Sequence, residues 1–308
     1  MAKRSRWIVR AGQGPTLRDV LARAGADPSA VAEGRVFLGR HRALSTDEPV
    51  KEGDEVHIAR KVEALHPATL LYDEGGLVAA DKPADVVTVP DHEGAAGSLL
   101  AAVARTLGVH PLTLHATSRL DRGVSGVVVF ARTAEAAERL RMAREAGTYL
   151  RRYLALAVRA PSTESGEWDA AIGRAPDPRH RAIAGRDAVP AVTRYTVIAR
   201  AGEWALLALE PITGRTHQLR VHAAHAHAPL LGDRVYGGPA RTTLPTGGVL
   251  SFDRIALHAA RVSIPGKGGG LVEIAAPVPS RLAGWWKAMG GDAGAWDAAL
   301  AVSMGSRA

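Results

Sequence analysis

The feature that most constrains this chain is a series of short apolar runs, each closed by glycine, proline or aspartate. Between residues 77 and 265 they read "LVAADKP", "GVVVFAR", "YLALAVR", "RYTVIAR", "WALLALEP" and "RVSIP". Runs of this length bounded by turn residues predict strands and are too short for helices. Between them, "SLLAAVARTLG" and "AEAAERLRMAREA" carry apolar residues three and four apart, and Thr133 followed by Glu135 marks a start for the second of these helices. Strands interleaved with a few helices predict an α+β domain.

Residues 15–62 form a different unit. Leu17, Val20 and Leu21 stand at helical spacing, and Val36, Leu38 and Leu44 fall in short extended pieces, which implies a small α/β module. The connector "VEALHPATL" separates it from the strand-rich region. No repeat of fixed period is present, and Gly/Pro-rich patches near 239–248 and 265–270 predict surface loops. Trp285 and Trp286 in "SRLAGWWKAM" predict a helix packed on the core.

With 308 residues the chain has room for one large domain and a small one. It has no cysteine, which excludes disulfides and thiolate metal sites. The basic start "MAKRSRWIVRAGQG" lacks the apolar core of a secretory signal, and no window approaches about 18 uninterrupted apolar residues, so a cytoplasmic protein with no membrane contact is expected. The net charge is +8, with arginine far outnumbering lysine. That suits bidentate phosphate contacts and makes nucleic acid the leading partner, although a GC-rich genome would give the same bias.

Three segments carry chemistry. In "SRLDRGVSGVVVFA", Arg119 and Asp121 fall at alternate positions and share a face if the piece is extended, before Gly123 to Gly126 turn the chain into a buried strand. Alone, an aspartate between Arg119 and Arg122 reads as a surface ion pair, and the other segments are what favour chemistry. In "LEPITGRTHQLRVHAAHAHAPLLGDRVYGG", Arg215, His217, Gln218, Arg220 and His222 follow a strand, with Gly214 expected to make a tight turn into a short helix ended by Pro229, too polar for a core element. His217, His222, His225 and His227 invite a metal reading, which the absence of carboxylates at ligand spacing and the nearby arginines oppose. In "YLRRYLALAVRA", Tyr153 stands beside Arg151 and Arg152, a pairing used for base stacking on RNA; the plainer reading packs Tyr153 with Tyr149.

From about Leu70 to Pro279 the chain resembles the RluA-type RNA pseudouridine synthases. The resemblance rests on "DEGGLVAADKPADVVTVP" for the opening strand and Lys-Pro turn, "RLDRGVSG" for the R-L-D-x-x-T-S-G motif, and "RRYLALA" for the K-x-Y-x-A strand. "PAVTRYTVI", "TGRTHQLRVHAAHAHAPLLGD" and "LHAARVSI" follow in the family's order. Two positions depart from the pattern: Ser118 replaces a histidine before R-L-D, and Val124 replaces the threonine of T-S-G. The N-terminal unit, with "EGRVFLGRH" and a closing "VKEGDEVHI", partly resembles the S4 RNA-binding domain, although its second helix, in "ADPSAVAEG", is short and charge-poor.

The resemblance implies a mixed, largely antiparallel central sheet flanked by helices, and isomerisation of uridine in ribosomal or transfer RNA to pseudouridine. Asp121 is then the carboxylate acting at the glycosidic bond, Arg220 its ion-pair partner, and Tyr153 the ring that stacks on the flipped base and helps remove the C5 proton. Arg119 would prop the vacated stack and Leu257 line the base pocket. Lys82, Arg122, Arg215, His217 and Gln218 complete the expected RNA-binding set. The expected organisation is 1–62 S4-like, 63–69 linker, 70–288 catalytic and 289–308 tail, acting as a monomer without cofactor or metal. The alternatives are a noncatalytic RNA-binding protein of the same fold and a metal-dependent nuclease built on the His/Arg-rich segment.

Overall fold

The computed structural model describes residues 6–12, 14–32, 34–39, 41–58, 67–90, 97–244, 246–301 and 304. Residues 63–66 of the expected linker lie outside these.

In the N-terminal module, β1 (Arg6–Ile8), β2 (Val36–Leu38), β3 (His41–Arg42) and β4 (Glu55–Ile58) form an antiparallel sheet in the order β1-β4-β2-β3. Helices α1 (Leu17–Arg23) and α2 (Ser29–Ala32) complete it. Thr16 starts α1 through a capping box, its N–H donating to the Asp19 carboxylate at 3.1 Å. Leu17, Val20 and Leu21 are buried with Val36 and Val56 in a core of their own. Leu44, expected in a short extended piece, lies outside the strands just before a turn, 66% exposed, with its N–H donating to Glu48.

The strand-rich region builds one large sheet. Its strands are β5 (Thr69–Glu74), β6 (Leu77–Lys82), β7 (His115–Ala116), β8 (Ser125–Ala131), β9 (Leu150–Val158) and β10 (Ser165–Asp169). A separate three-stranded sheet follows: β11 (Ile172–Arg174), β12 (Arg181–Ile183) and β13 (Arg186–Val189). The large sheet resumes with β14 (Val192–Ala201) and β15 (Trp204–Pro211). After the ribbon β16 (Arg241–Thr243) and β17 (Val249–Ser251), it closes with β18 (Leu257–Pro265) and β19 (Leu271–Ala275). The order is β10-β14-β15-β9-β18-β8-β6-β5, with β19 on β18 and β7 on β8. Every pairing is antiparallel except β8 with β18, so the sheet is mixed and largely antiparallel, as expected.

The parallel junction depends on Gly126. It sits at φ 114°, opposite Ala259, where a Cβ would lie 2.2 Å from the Ala259 carbonyl oxygen. Only glycine allows the two backbones to approach this closely.

Helices α3 (Leu99–Leu107), α4 (Ala134–Glu145), α5 (Gln218–His225), α6 (Ser280–Ala288) and α7 (Ala295–Ala301) pack around the sheet. Ser98 caps α3 by accepting from the Ala101 N–H at 3.2 Å, and Gly108 ends it in the left-handed conformation. Thr133 caps α4 by accepting from the Ala136 N–H at 3.1 Å.

Two boundaries are corrected. The patch at 239–248 carries β16 and leads into β17 rather than being only loop, and the stretch expected as a tail from 289 carries α7. Trp296 and Ala299 of α7 are buried with Trp285 and Trp286 of α6, which explains why the chain continues as helix there. Among the described residues no helix is long and apolar enough to cross a membrane.

Candidate active site

Asp121 lies four residues before β8, outside any strand or helix, and lines one cleft together with Arg119. The backbone is tied on both sides of it. Leu120 N–H donates to Thr88 Oγ1 at 3.1 Å, and the Arg122 carbonyl accepts from the Asp85 N–H at 2.7 Å and from Lys82 Nζ at 3.1 Å. A turn closes with the Val124 N–H donating to the Asp121 carbonyl at 3.0 Å. The carboxylate, 29% exposed, is thus presented from a fixed backbone.

Lys82 is corrected by this geometry. Its side chain is fully buried, and Nζ donates to the carbonyls of Pro83 at 2.9 Å and Val86 at 2.6 Å as well as Arg122, so it braces the loop from behind and does not face RNA. Burial pulls its pKa down to about 7 and Arg254 adds to this, while Asp85 and Asp121 oppose it.

Helix α5 supplies the partner. Arg220, 5% exposed, donates from Nε and Nη2 to the two oxygens of Asp233, at 2.7 and 2.8 Å, and from Nη1 to Asp121 Oδ2 at 2.7 Å. Asp233 is itself buried, so the guanidinium is clamped bidentately on one edge and offers the other to Asp121. Burial alone would lower the Arg220 pKa, but the hydrogen bonds and charges of Asp233 and Asp121 outweigh it and hold the group above its ordinary value. Tyr236 adds its ring face, 4.8 Å from the guanidinium carbon.

The expectation that α5 is too polar for the core is overturned, because Gln218 to Ala223 are all buried. Gln218 was expected to contact RNA, but its amide is used internally. Oε1 accepts from Thr213 Oγ1 at 2.6 Å and the Arg215 N–H at 3.0 Å, and Nε2 donates to the Val192 carbonyl at 2.9 Å and Thr193 Oγ1 at 3.0 Å. These four bonds saturate it. The left-handed residue that enters the helix is His217, at φ 58°, and not Gly214; the helix ends at His225, four residues before Pro229.

The histidines have separate tasks. His222 lies 2.9 Å from Thr193 Oγ1 and 3.0 Å from the Ala170 carbonyl as a satisfied core residue. His217 Nδ1 lies 2.6 Å from Tyr236 Oη, and Nε2 lies 3.7 Å from Asp121 Oδ2. Among the described residues no group of three or more histidines and acids is placed to hold a metal.

A cleft of about 690 Å³ opens over Asp121, in the range of small-ligand sites, roughly 300–1,000 Å³. Arg119, Tyr153, Arg215, His217, Arg220 and Leu257 line it with Asp121, as do the departing residues Ser118 and Val124. Tyr153 is half-buried on β9, between Ala259 of β18 and Leu209 of β15, and burial pushes its phenol pKa up. Strand alternation puts its neighbour Arg152 on the opposite face, 3% exposed and paired with Glu210, so only Arg151 shares the cleft, its Nη2 donating to the carbonyls of Pro211 and Thr213, each at 3.1 Å. Arg119, Arg122 and Arg215 are exposed.

Sequence reasoning missed Asp233 and Tyr236. Both stand in "GDRVYGG", thirteen and sixteen residues beyond Arg220, and no local pattern marks them as its partners. What brings them back is a fold constraint: a Cβ at Gly232 or Gly238 would lie within 2 Å of the Arg254 or Leu230 carbonyl oxygen.

Known proteins resemble this chain over most of its length. The family model for RNA pseudouridylate synthase matches residues 76–225. A protein of Vibrio parahaemolyticus called ribosomal large subunit pseudouridine synthase D is 34% identical over 283 residues, covering 83% of each chain. Its namesake in Escherichia coli O157:H7 is 30% identical over 272 residues, covering 82% of each. Among solved structures, human RNA pseudouridylate synthase domain containing 4 superposes with a TM-score of 0.60 at 25% identity, over 72% of this chain and 92% of that one.

Proposed function

The chain belongs to the RNA pseudouridylate synthase family, and on that premise we propose that Asp121 is the carboxylate through which it isomerises uridine. The reaction breaks the bond from uracil N1 to ribose C1′, turns the base, and joins C5 to C1′. The proton lost from C5 is balanced by one gained at N1, with no redox step and no external energy. Asp121 serves either as the nucleophile at C1′ or as the group that assists a glycal intermediate.

The observation that carries this reading is the clamped guanidinium. Arg220 addresses Oδ2 of Asp121 and is prevented from folding further over the carboxylate by its two bonds to Asp233. Tyr153 and Leu257, on the walls of the same cleft, are suited to receive a flipped uracil. Unstacking that base costs a few kcal/mol, which contacts of Arg119, Arg122 and Arg215 with the backbone would offset.

The proposed substrate is large-subunit ribosomal RNA, following the names of the relatives, and the proposed place of action is the cytoplasm. The N-terminal module is proposed as an S4-like RNA contact, with Arg18 and Arg23 exposed on α1. Tritium release from RNA labelled at uridine C5 tests the assignment. Release from large-subunit RNA in the presence of EDTA is expected. Release from transfer RNA alone would overturn the substrate, and dependence on a divalent ion would overturn the metal-free chemistry.

A further inference from the structure

Tyr236 stands in the short turn Arg234–Tyr236 and touches His217 and Arg220 of the cleft as well as Arg181. Its Oη accepts from the Arg181 N–H of β12 at 3.0 Å and lies 2.6 Å from His217 Nδ1. Its ring meets that of His217 edge to face, at 5.7 Å and 76°, and carries Arg220 on its face. His217 occupies a left-handed conformation that a side chain adopts only when its surroundings hold it there.

The backbone N–H of Arg181 can only donate, so it occupies an acceptor site on the phenol oxygen. The phenolic proton remains to be donated, and His217 Nδ1 at 2.6 Å is an acceptor within its reach. A neutral imidazole that accepts at Nδ1 carries its own proton on Nε2, the atom 3.7 Å from Asp121 Oδ2.

We propose that Tyr236 is a positioning residue for the reaction: through His217 it sets a neutral N–H donor toward Asp121, while its ring face seats Arg220. At 3.7 Å the donor is beyond hydrogen-bond reach, so it does not compete with Arg220 in the resting enzyme. Arg220 and His217 both address Oδ2, and neither addresses Oδ1, the oxygen left to the substrate.

The charged and titratable groups around the His217 ring are Asp121 from the loop before β8, Arg220 from α5, Arg181 from β12, and Asp233 and Tyr236 from the turn after α5. Burial lowers the His217 pKa; Asp121 opposes this, Arg220 and Arg181 reinforce it, and Asp233 opposes it. The neutral ring is therefore the working form. Loss of the phenol's hydrogen bond to Nδ1 removes support for that form and moves the titration to higher pH.

The consequence for catalysis rests on Asp121 being the reacting carboxylate, but the tautomer does not, and it is read in enzyme without RNA. Long-range proton–nitrogen correlation spectra of protein with nitrogen-15-labelled histidine, with His217→Gln identifying the signal, should show His217 protonated on Nε2 alone. Tyr236→Phe, which keeps the ring under Arg220, should give mixed tautomers. It should lower the single-turnover rate about tenfold at neutral pH with RNA affinity unchanged, and shift the acid limb of the rate profile to higher pH. A proton on Nδ1 in the wild type would overturn the relay. So would an unchanged rate profile in Tyr236→Phe, or a rate loss equal at every pH and accompanied by weaker RNA binding.

Discussion

Arg220 reaches two acids at once, and the residue scale is where sequence reading was strongest and also where it erred. Asp121, Arg220, Tyr153 and Leu257 were legible because motif order placed them, and the structure brings all four to one cleft. Lys82 and Gln218 were misread because a polar side chain looks the same in sequence whether it meets RNA or backbone carbonyls. The two kinds of residue separate experimentally. Lys82→Met removes the three hydrogen bonds that the buried ammonium donates to the carbonyls of Pro83, Val86 and Arg122, at about 1–3 kcal/mol each, so it should lower stability by several kcal/mol in denaturant unfolding and leave the salt dependence of RNA binding unchanged. Arg215→Ala should leave stability within about 0.5 kcal/mol and reduce the salt slope by about one. His258 gives a pH signature. It is fully buried, with Nδ1 2.8 Å from Ser125 Oγ, and burial holds its pKa at about 4. The unfolded ring binds its proton near 6.5, so between those values the unfolded state holds more protons and stability falls as pH drops. His217 and His222, whose pKa values are also lowered by burial, act in the same direction. His258 contributes about 3 kcal/mol across that window. Unfolding curves at pH 6.5 and 4 measure the sum, and His258→Leu should flatten the slope.

At the scale of elements, the strands were legible because they are short apolar runs closed by turn residues, and helices α3 and α4 because apolar residues recur three and four apart in them. Ser98, Gly108 and Thr133 mark ends that the sequence already advertises. Helix α5 was not legible as core, because it buries Gln218, Arg220 and His222 against partners from β14, the segment before β11 and the turn after α5, and so shows no apolar stripe. The parallel pairing of β8 with β18 was equally hidden, since it joins residues 133 apart, from Ser125 to His258. Gly126→Ala should expose that junction. The added methyl meets the Ala259 carbonyl and the φ is unfavourable, so a loss of more than about 2 kcal/mol is expected, with activity falling because Asp121 hangs from the same strand. Denaturant unfolding of the variant checks it; wild-type stability would contradict the role given to the junction.

At the scale of the molecule, the α+β class and the mixed sheet were foreseen, whereas helix α7 was not, because the apolar residues of "AWDAALA" become a core face only once α6 is in place. The net charge of +8 gives the whole chain a field that favours RNA, but the proposed chemistry is concentrated in one ionic chain from Asp233 through Arg220 to Asp121. The last carboxylate of this chain is proposed to perform the isomerisation. The most direct test is tritium release from C5-labelled large-subunit RNA by Asp121→Asn, with RNA binding and unfolding measured on the same preparation. No release above background is expected, with binding and stability retained. Release at the wild-type rate from the folded variant would contradict the proposal.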